Sequence, residues 1–168
     1  MPPREQNLEN LKLEKQAKTD LALNLIKITH YVSNSGTYNK FLIPDKKEKK
    51  KLYDIARIDY KKYSRSTDGV LLERNVKNID SVKNTNDFYF LEIKATKSKT
   101  VKELPYGVFF GFTENEENLF KKHANYRLCF IHVALKKYYI MDYREYSKLI
   151  QTSKKRIQYQ ITFRSNKG

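Results

Sequence analysis

Apolar residues change spacing partway along this chain, and that change divides it. Over 5–33 they recur at Leu8, Leu11, Ala17, Leu21, Ile26 and Ile28 with strong helix formers between them, a spacing that predicts helix. Thr19-Asp20 offers an N-cap at which a second helix would begin. "NSGTYN" (34–39) reads as a turn, and Pro44 with the lysine run after it as a loop. Residues 50–64 are read as helix. The period then shortens. "DGVLLER" (68–74), "DFYFLEIKAT" (87–96), "YGVFFGF" (106–112), "YRLCFIHVAL" (126–135) and "KKYYIMDY" (136–143) read as strands. Thr113 and Glu116 form a Thr-x-x-Glu capping signal for a helix over 113–124, with Leu119 and Phe120 facing inward. A short helix is expected over 144–153. A last strand over 156–164 has Ile157, Tyr159, Ile161 and Phe163 alternating with polar residues. The expectation is one α/β domain, a central mixed sheet flanked by helices. A helical segment, 1–49, would pack on a core formed by 50–168.

The strand over 87–96 poses the chemical question. Phe88, Phe90, Glu92 and Lys94 share one face, and Tyr89, Leu91, Ile93 and Ala95 share the other. Both faces begin apolar, which marks a central strand. Opposite charges on one face of such a strand are costly unless they have partners or a task.

Composition narrows the task. Thirty-four Lys and Arg against 19 Asp and Glu give a net charge of +15, which favours a polyanionic partner, nucleic acid being the commonest. Part of the lysine excess fits the Lys, Asn, Ile and Tyr enrichment of an AT-rich genome, so charge is a moderate argument. No apolar run has membrane-spanning length and the N-terminus lacks a signal-peptide pattern, so an intracellular protein with no membrane partner is expected. The lone Cys129 excludes an internal disulfide and a cysteine-cluster zinc site. His30, His123 and His132 are scattered and read as ordinary structural residues.

Asp68 opens the preceding strand beside a glycine. If the two strands pair, it approaches the Glu92/Lys94 face. Two carboxylates beside a lysine suit a divalent cation held by hard oxygens, with a positive charge left for phosphate chemistry. Asp54, Asp80 and Asp87 are weaker choices. Asp87 is too close to the start of Glu92's own strand to converge with it, and Asp80 reads as loop.

Asp68, a connection, then Glu92-Ile93-Lys94 after an apolar run resembles the PD-(D/E)xK nucleases, the restriction-endonuclease-like superfamily. The element order beyond it, over "VFFGFTENEENLFKKHANYRLCFIHV", is similar too, and the resemblance spans roughly residues 50–164. Thr67 stands where that family often has proline. The resemblance implies Asp68 and Glu92 as catalytic metal-binding carboxylates, the Ile93 carbonyl as a further ligand and Lys94 as the catalytic lysine. The implied cofactor is Mg²⁺, with Mn²⁺ as substitute and no small-molecule cofactor. The implied reaction is hydrolysis of DNA phosphodiesters leaving a 5′ phosphate, most simply by a small type II restriction enzyme acting as a homodimer. An acid of the N-terminal helix sometimes completes such sites, and Glu5, Glu9 and Glu14 are the candidates. Lys97 and Lys99 are candidate nucleic-acid contacts. Two alternatives stand beside this reading: a non-catalytic basic nucleic-acid-binding module, and a repair or junction-processing nuclease of the same fold.

Overall fold

The computed structural model describes residues 3–28 and 38–152. In chain order the elements are α1 (Pro3–Ala22), β1 (Tyr38–Leu42), α2 (Lys46–Ala56), α3 (Tyr60–Tyr63), β2 (Gly69–Glu73), β3 (Phe88–Thr96), α4 (Glu114–Lys122), β4 (Tyr126–His132), β5 (Lys137–Met141) and α5 (Tyr143–Ile150). The strands form one five-stranded sheet in the order β1-β2-β3-β4-β5. All neighbouring pairs are antiparallel except β3 with β4, which run parallel with α4 between them. The fold is therefore α/β with a mixed sheet. β3 is its middle strand, as apolar residues on both faces require.

Period-two alternation divides the core. Val70, Leu72, Phe88, Phe90, Leu128 and Phe130 pack on one face against Leu52 and Tyr53 of α2, Leu119 and Phe120 of α4 and Tyr146 of α5. On the other face Leu71, Tyr89, Leu91, Ile93, Cys129 and Ile131 pack against Ala17 and Leu21 of α1. Cys129 is a buried free thiol, and burial pushes its pKa up.

Several expectations need correction. α1 stops at Ala22 and does not break at Thr19-Asp20, residues 23–28 form no helix, and 29–33 of the expected helical span lie outside the described residues. Asp20 is 1% exposed, and its carboxylate takes Gln16 and Lys136 as partners and caps no helix. Its carbonyl accepts the N–H groups of Leu25 and Ile26, and Asn24 turns the chain at φ 57°. β1 begins at the end of the turn read over 34–39, of which residues 34–37 lie outside the described residues, and pairs with β2 through Phe41 and Leu42. The segment before residue 49 thus contributes a strand as well as a helix. Asp45 caps α2 within the lysine run, and Arg57 in the left-handed region ends it, so the single helix read over 50–64 is two.

No strand forms over 106–112. Both edges of β3 are already paired, and so are both edges of β4, so this segment cannot extend the sheet beside the strands it connects to. It packs through side chains instead, with Phe110 against Phe130 and Phe112 against Phe120. The expected strand over 156–164 lies outside the described residues. No helix among the described residues is long and apolar enough to cross a membrane.

Candidate active site

Register brings the predicted acids together. β2 and β3 pair with Gly69 opposite Leu91 and Val70 opposite Phe90. Asp68 immediately precedes that paired stretch, which brings its carboxylate within electrostatic reach of Glu92. The Asp68 N–H donates to the Leu91 carbonyl at 2.8 Å, and the Ile93 N–H donates to Asp68 Oδ2 at 2.7 Å. Gly69 makes the approach possible. A Cβ there would sit 2.2 Å from a Phe41 ring carbon and 2.9 Å from the Leu42 carbonyl oxygen, so β1 lies close over the residue that follows Asp68.

The segment leading into Asp68 is fixed by buried hydroxyls. Tyr126 donates to the Ser66 carbonyl at 2.6 Å, and Tyr53 to the Tyr63 carbonyl at 2.7 Å, with Thr67 Oγ1 a further 2.9 Å contact of Tyr53. Burial pushes the Tyr53 phenol up to about 12, so it stays a hydroxyl. Lys49 of α2 donates to the Thr67 carbonyl at 3.1 Å.

Glu92 and Lys94 are 4% and 6% exposed. Lys94 Nζ donates to Glu92 Oε1 at 3.0 Å and to Glu116 Oε2 at 3.2 Å, beneath the face of the Phe112 ring. Glu92 and Lys94 therefore do have partners: Glu92 and Glu116 share the one Lys94 ammonium, while Asp68 has its own cation in Lys18. Burial, reinforced by Asp68 and Glu116 against the opposing pull of Lys94, raises the Glu92 pKa well above its ordinary value. Burial alone would depress Lys94, but the adjoining Glu92 and Glu116 outweigh it and hold the ammonium above its ordinary pKa. Lys94 is thus a fixed positive charge.

Two of the acids on α1 separate from the third. Glu14 faces the site: burial raises its pKa, and Lys94 and Asp68 both act on it. Four residues on, Lys18 forms an ion pair with Asp68 Oδ1, the spacing that places both side chains on one helix face. Glu9 instead pairs with Lys97 at 2.6 Å on the surface, and Glu5 lies exposed beside the same patch. Lys99 is exposed. Ile93 has its side chain in the opposite core, while its N–H steadies Asp68.

Sequence reasoning missed Glu116 as a site residue because its capping role accounted for it. In the fold one oxygen does both jobs: Glu116 Oε2 accepts from the Thr113 N–H at 2.8 Å and from Lys94. The usable signal was helical spacing, since Glu116 lies three and four residues before the inward-facing Leu119 and Phe120. His132 is held by backbone on both ring nitrogens, accepting from the Leu135 N–H at Nδ1 and meeting the Ser98 carbonyl through Nε2.

The donors suit a hard divalent cation. Glu92 Oε2 is buried with no hydrogen-bond partner, an arrangement that a cation would satisfy. Asp68 Oδ1 already faces a cationic group, the Lys18 ammonium. Among the described residues no group of three His, Cys, Asp or Glu side chains gathers at cation-ligating spacing. Comparison with family models, with curated proteins and with solved structures returns no match for the chain.

Proposed function

We propose that this chain is a metal-dependent nuclease of the PD-(D/E)xK kind, with a restriction-endonuclease-like fold, that hydrolyses DNA phosphodiesters. One observation carries the reading: a glutamate and a lysine on the buried middle strand lie near an aspartate at the entry to the neighbouring strand, and the glutamate keeps an unpartnered oxygen. An unsatisfied buried carboxylate oxygen costs stability, and a bound cation would relieve that cost.

Asp68 and Glu92 would hold Mg²⁺, or Mn²⁺ in its place, and the ion would supply Lewis-acid stabilisation of the phosphate and an acidified water. The chain's own residues do the rest. Lys94 is fixed by Glu92 and Glu116 in its protonated form, so it orients the attacking water by donating a hydrogen bond and stabilises charge developing on the phosphate. The Ile93 N–H and the Lys18 ammonium hold the Asp68 carboxylate in place. The net charge of +15 favours a nucleic-acid substrate. Cutting both strands of a duplex takes two such sites, and a homodimer is the simplest way to supply them.

The test is plasmid cleavage in Mg²⁺, Mn²⁺ or EDTA by wild type, Lys94→Ala and Glu92→Gln. Metal-dependent cutting lost in both variants is expected, and discrete fragments would identify a restriction enzyme. Wild type that binds DNA but cuts no plasmid, single strand, branched DNA or RNA would instead favour the non-catalytic binding module. The closed contacts of Asp68 with Lys18 and the Ile93 N–H are the observation on that side.

A further inference from the structure

Between β3 and α4 the chain runs through residues 97–113 without helix or strand, a length uncommon in compact domains except where a loop has a task. It leaves directly from the strand that carries Glu92 and Lys94. It returns at Thr113, which caps the helix that supplies Glu116.

The loop is anchored at both ends. On the outgoing arm Val101 is 2% exposed, and the Ser98 carbonyl meets His132 Nε2 at 3.1 Å. On the return arm Phe110 packs on Phe130 with ring centroids 5.0 Å apart, and Phe112 lies over the Lys94 ammonium. Between these anchors the tip turns at Gly107, at φ 77°, and leaves Tyr106 60% and Phe109 76% exposed. Phe109 is the most exposed large apolar side chain among the described residues.

Alternation explains how Phe109 comes to point outward while Val108, Phe110 and Phe112 turn in. It does not explain an aromatic at that position, where a polar residue would cost nothing. Exposed Lys99 and Lys102 lie on the same loop, and the whole chain is strongly cationic. That charge selects among the partners an exposed aromatic suits, and favours a polyanion that also offers flat apolar faces. Nucleic acid fits both requirements.

We propose that Tyr106 and Phe109 form a stacking platform for an unpaired nucleobase beside the site. The proposal deepens the nuclease reading and rests on it for the nature of the partner. Its content is that the loop engages a base out of its duplex stack, at an end, a flap or a distorted step, while the lysines engage phosphate. A platform of this kind gains affinity from a preformed tip, because little side-chain freedom is lost on binding.

The test uses the full chain in EDTA, so that no strand is cut. The probes are a single-stranded oligonucleotide carrying 2-aminopurine and the same strand in a fully paired duplex. Wild type should quench the single-strand fluorescence. Phe109→Ala and Tyr106→Ala should each weaken single-strand binding by about tenfold or more, within the range for loss of one stacked base. Phe109→Trp should retain it, and duplex affinity should change by less than about twofold. The proposal is overturned if the alanine variants bind and quench like wild type, if both probes lose affinity equally, or if wild type binds only the duplex. It is also overturned if Phe109→Ala turns a dimer into a monomer, which would make the tip a contact between copies. Failure of the nuclease reading is seen separately: wild type that quenches the single strand but cuts nothing in Mg²⁺ defeats that reading and leaves the platform standing.

Discussion

Lys94 separates two buried carboxylates, and its removal makes the sharpest prediction. In Lys94→Met, Glu92 and Glu116 would face each other without the cation that hydrogen-bonds both, at 3.0 and 3.2 Å. Their side chains are only 5% and 10% exposed, so water screens little of the repulsion. Breaking a buried pair in this way costs roughly 3–5 kcal/mol at neutral pH, on the order of 10 °C in Tm for a chain of this size. The sign with pH follows from Glu92. Its folded pKa lies well above the ordinary 4.5. Between those two values the native chain holds a proton that the unfolded chain has released, so stability falls as pH rises through that window. Without Lys94 the folded value climbs further and the window widens towards higher pH. The loss in Lys94→Met should therefore be large at pH 8 and shrink towards pH 5. Glu92→Gln should do the opposite: with the surplus negative charge gone, it flattens the slope and gains about 1–2 kcal/mol at pH 8. Urea unfolding of the three proteins in EDTA at both pH values measures this. A Lys94→Met deficit equal at pH 5 and pH 8, or a Glu92→Gln protein less stable than wild type at pH 8, would refute the reasoning.

Further predictions follow from the same geometry. Mg²⁺ or Mn²⁺ should raise the Tm of wild type, by about 2.7 kcal/mol of added stability at one hundred times Kd, and should leave Glu92→Gln nearly unmoved in thermal melts. Lys18→Met frees Asp68 Oδ1 of its ammonium partner and should tighten Mn²⁺ binding by roughly threefold to tenfold in calorimetric titration, since a partly buried ion pair is worth on the order of 1 kcal/mol; unchanged or weaker binding would mean that Lys18 positions Asp68 without competing for it. Gly69→Ala should cost about 1–3 kcal/mol in urea unfolding, because its Cβ would meet Phe41 ring carbons at 2.2 and 2.3 Å. Cleavage should fall with it, since the strand that delivers Asp68 is displaced.

What the sequence determined by itself was everything carried by local period and local chemistry. The alternation over 88–96 marked the middle strand and put Glu92 and Lys94 on one face, and the buried faces of β3 agree. Thr113 and Glu116 marked the start of α4 through a capping box that is present atom for atom. The glycine after Asp68 marked a strand entry, although only the packing of Phe41 gives the reason for it. Local pattern failed where the outcome depended on which neighbours remained available. An apolar run at 106–112 has the composition of a strand, but both edges of β3 and of β4 are taken, and β1 forms from an unremarkable "YNKFL" because β2 has an edge to offer. Tertiary structure also decided the membership of the site. Glu14 faces it while Glu5 and Glu9 do not, and Lys18 and Glu116 enter from helices packed on opposite faces of the sheet. No one-dimensional spacing records that convergence, because it is set by how α1 and α4 seat their apolar stripes on the two faces of the sheet.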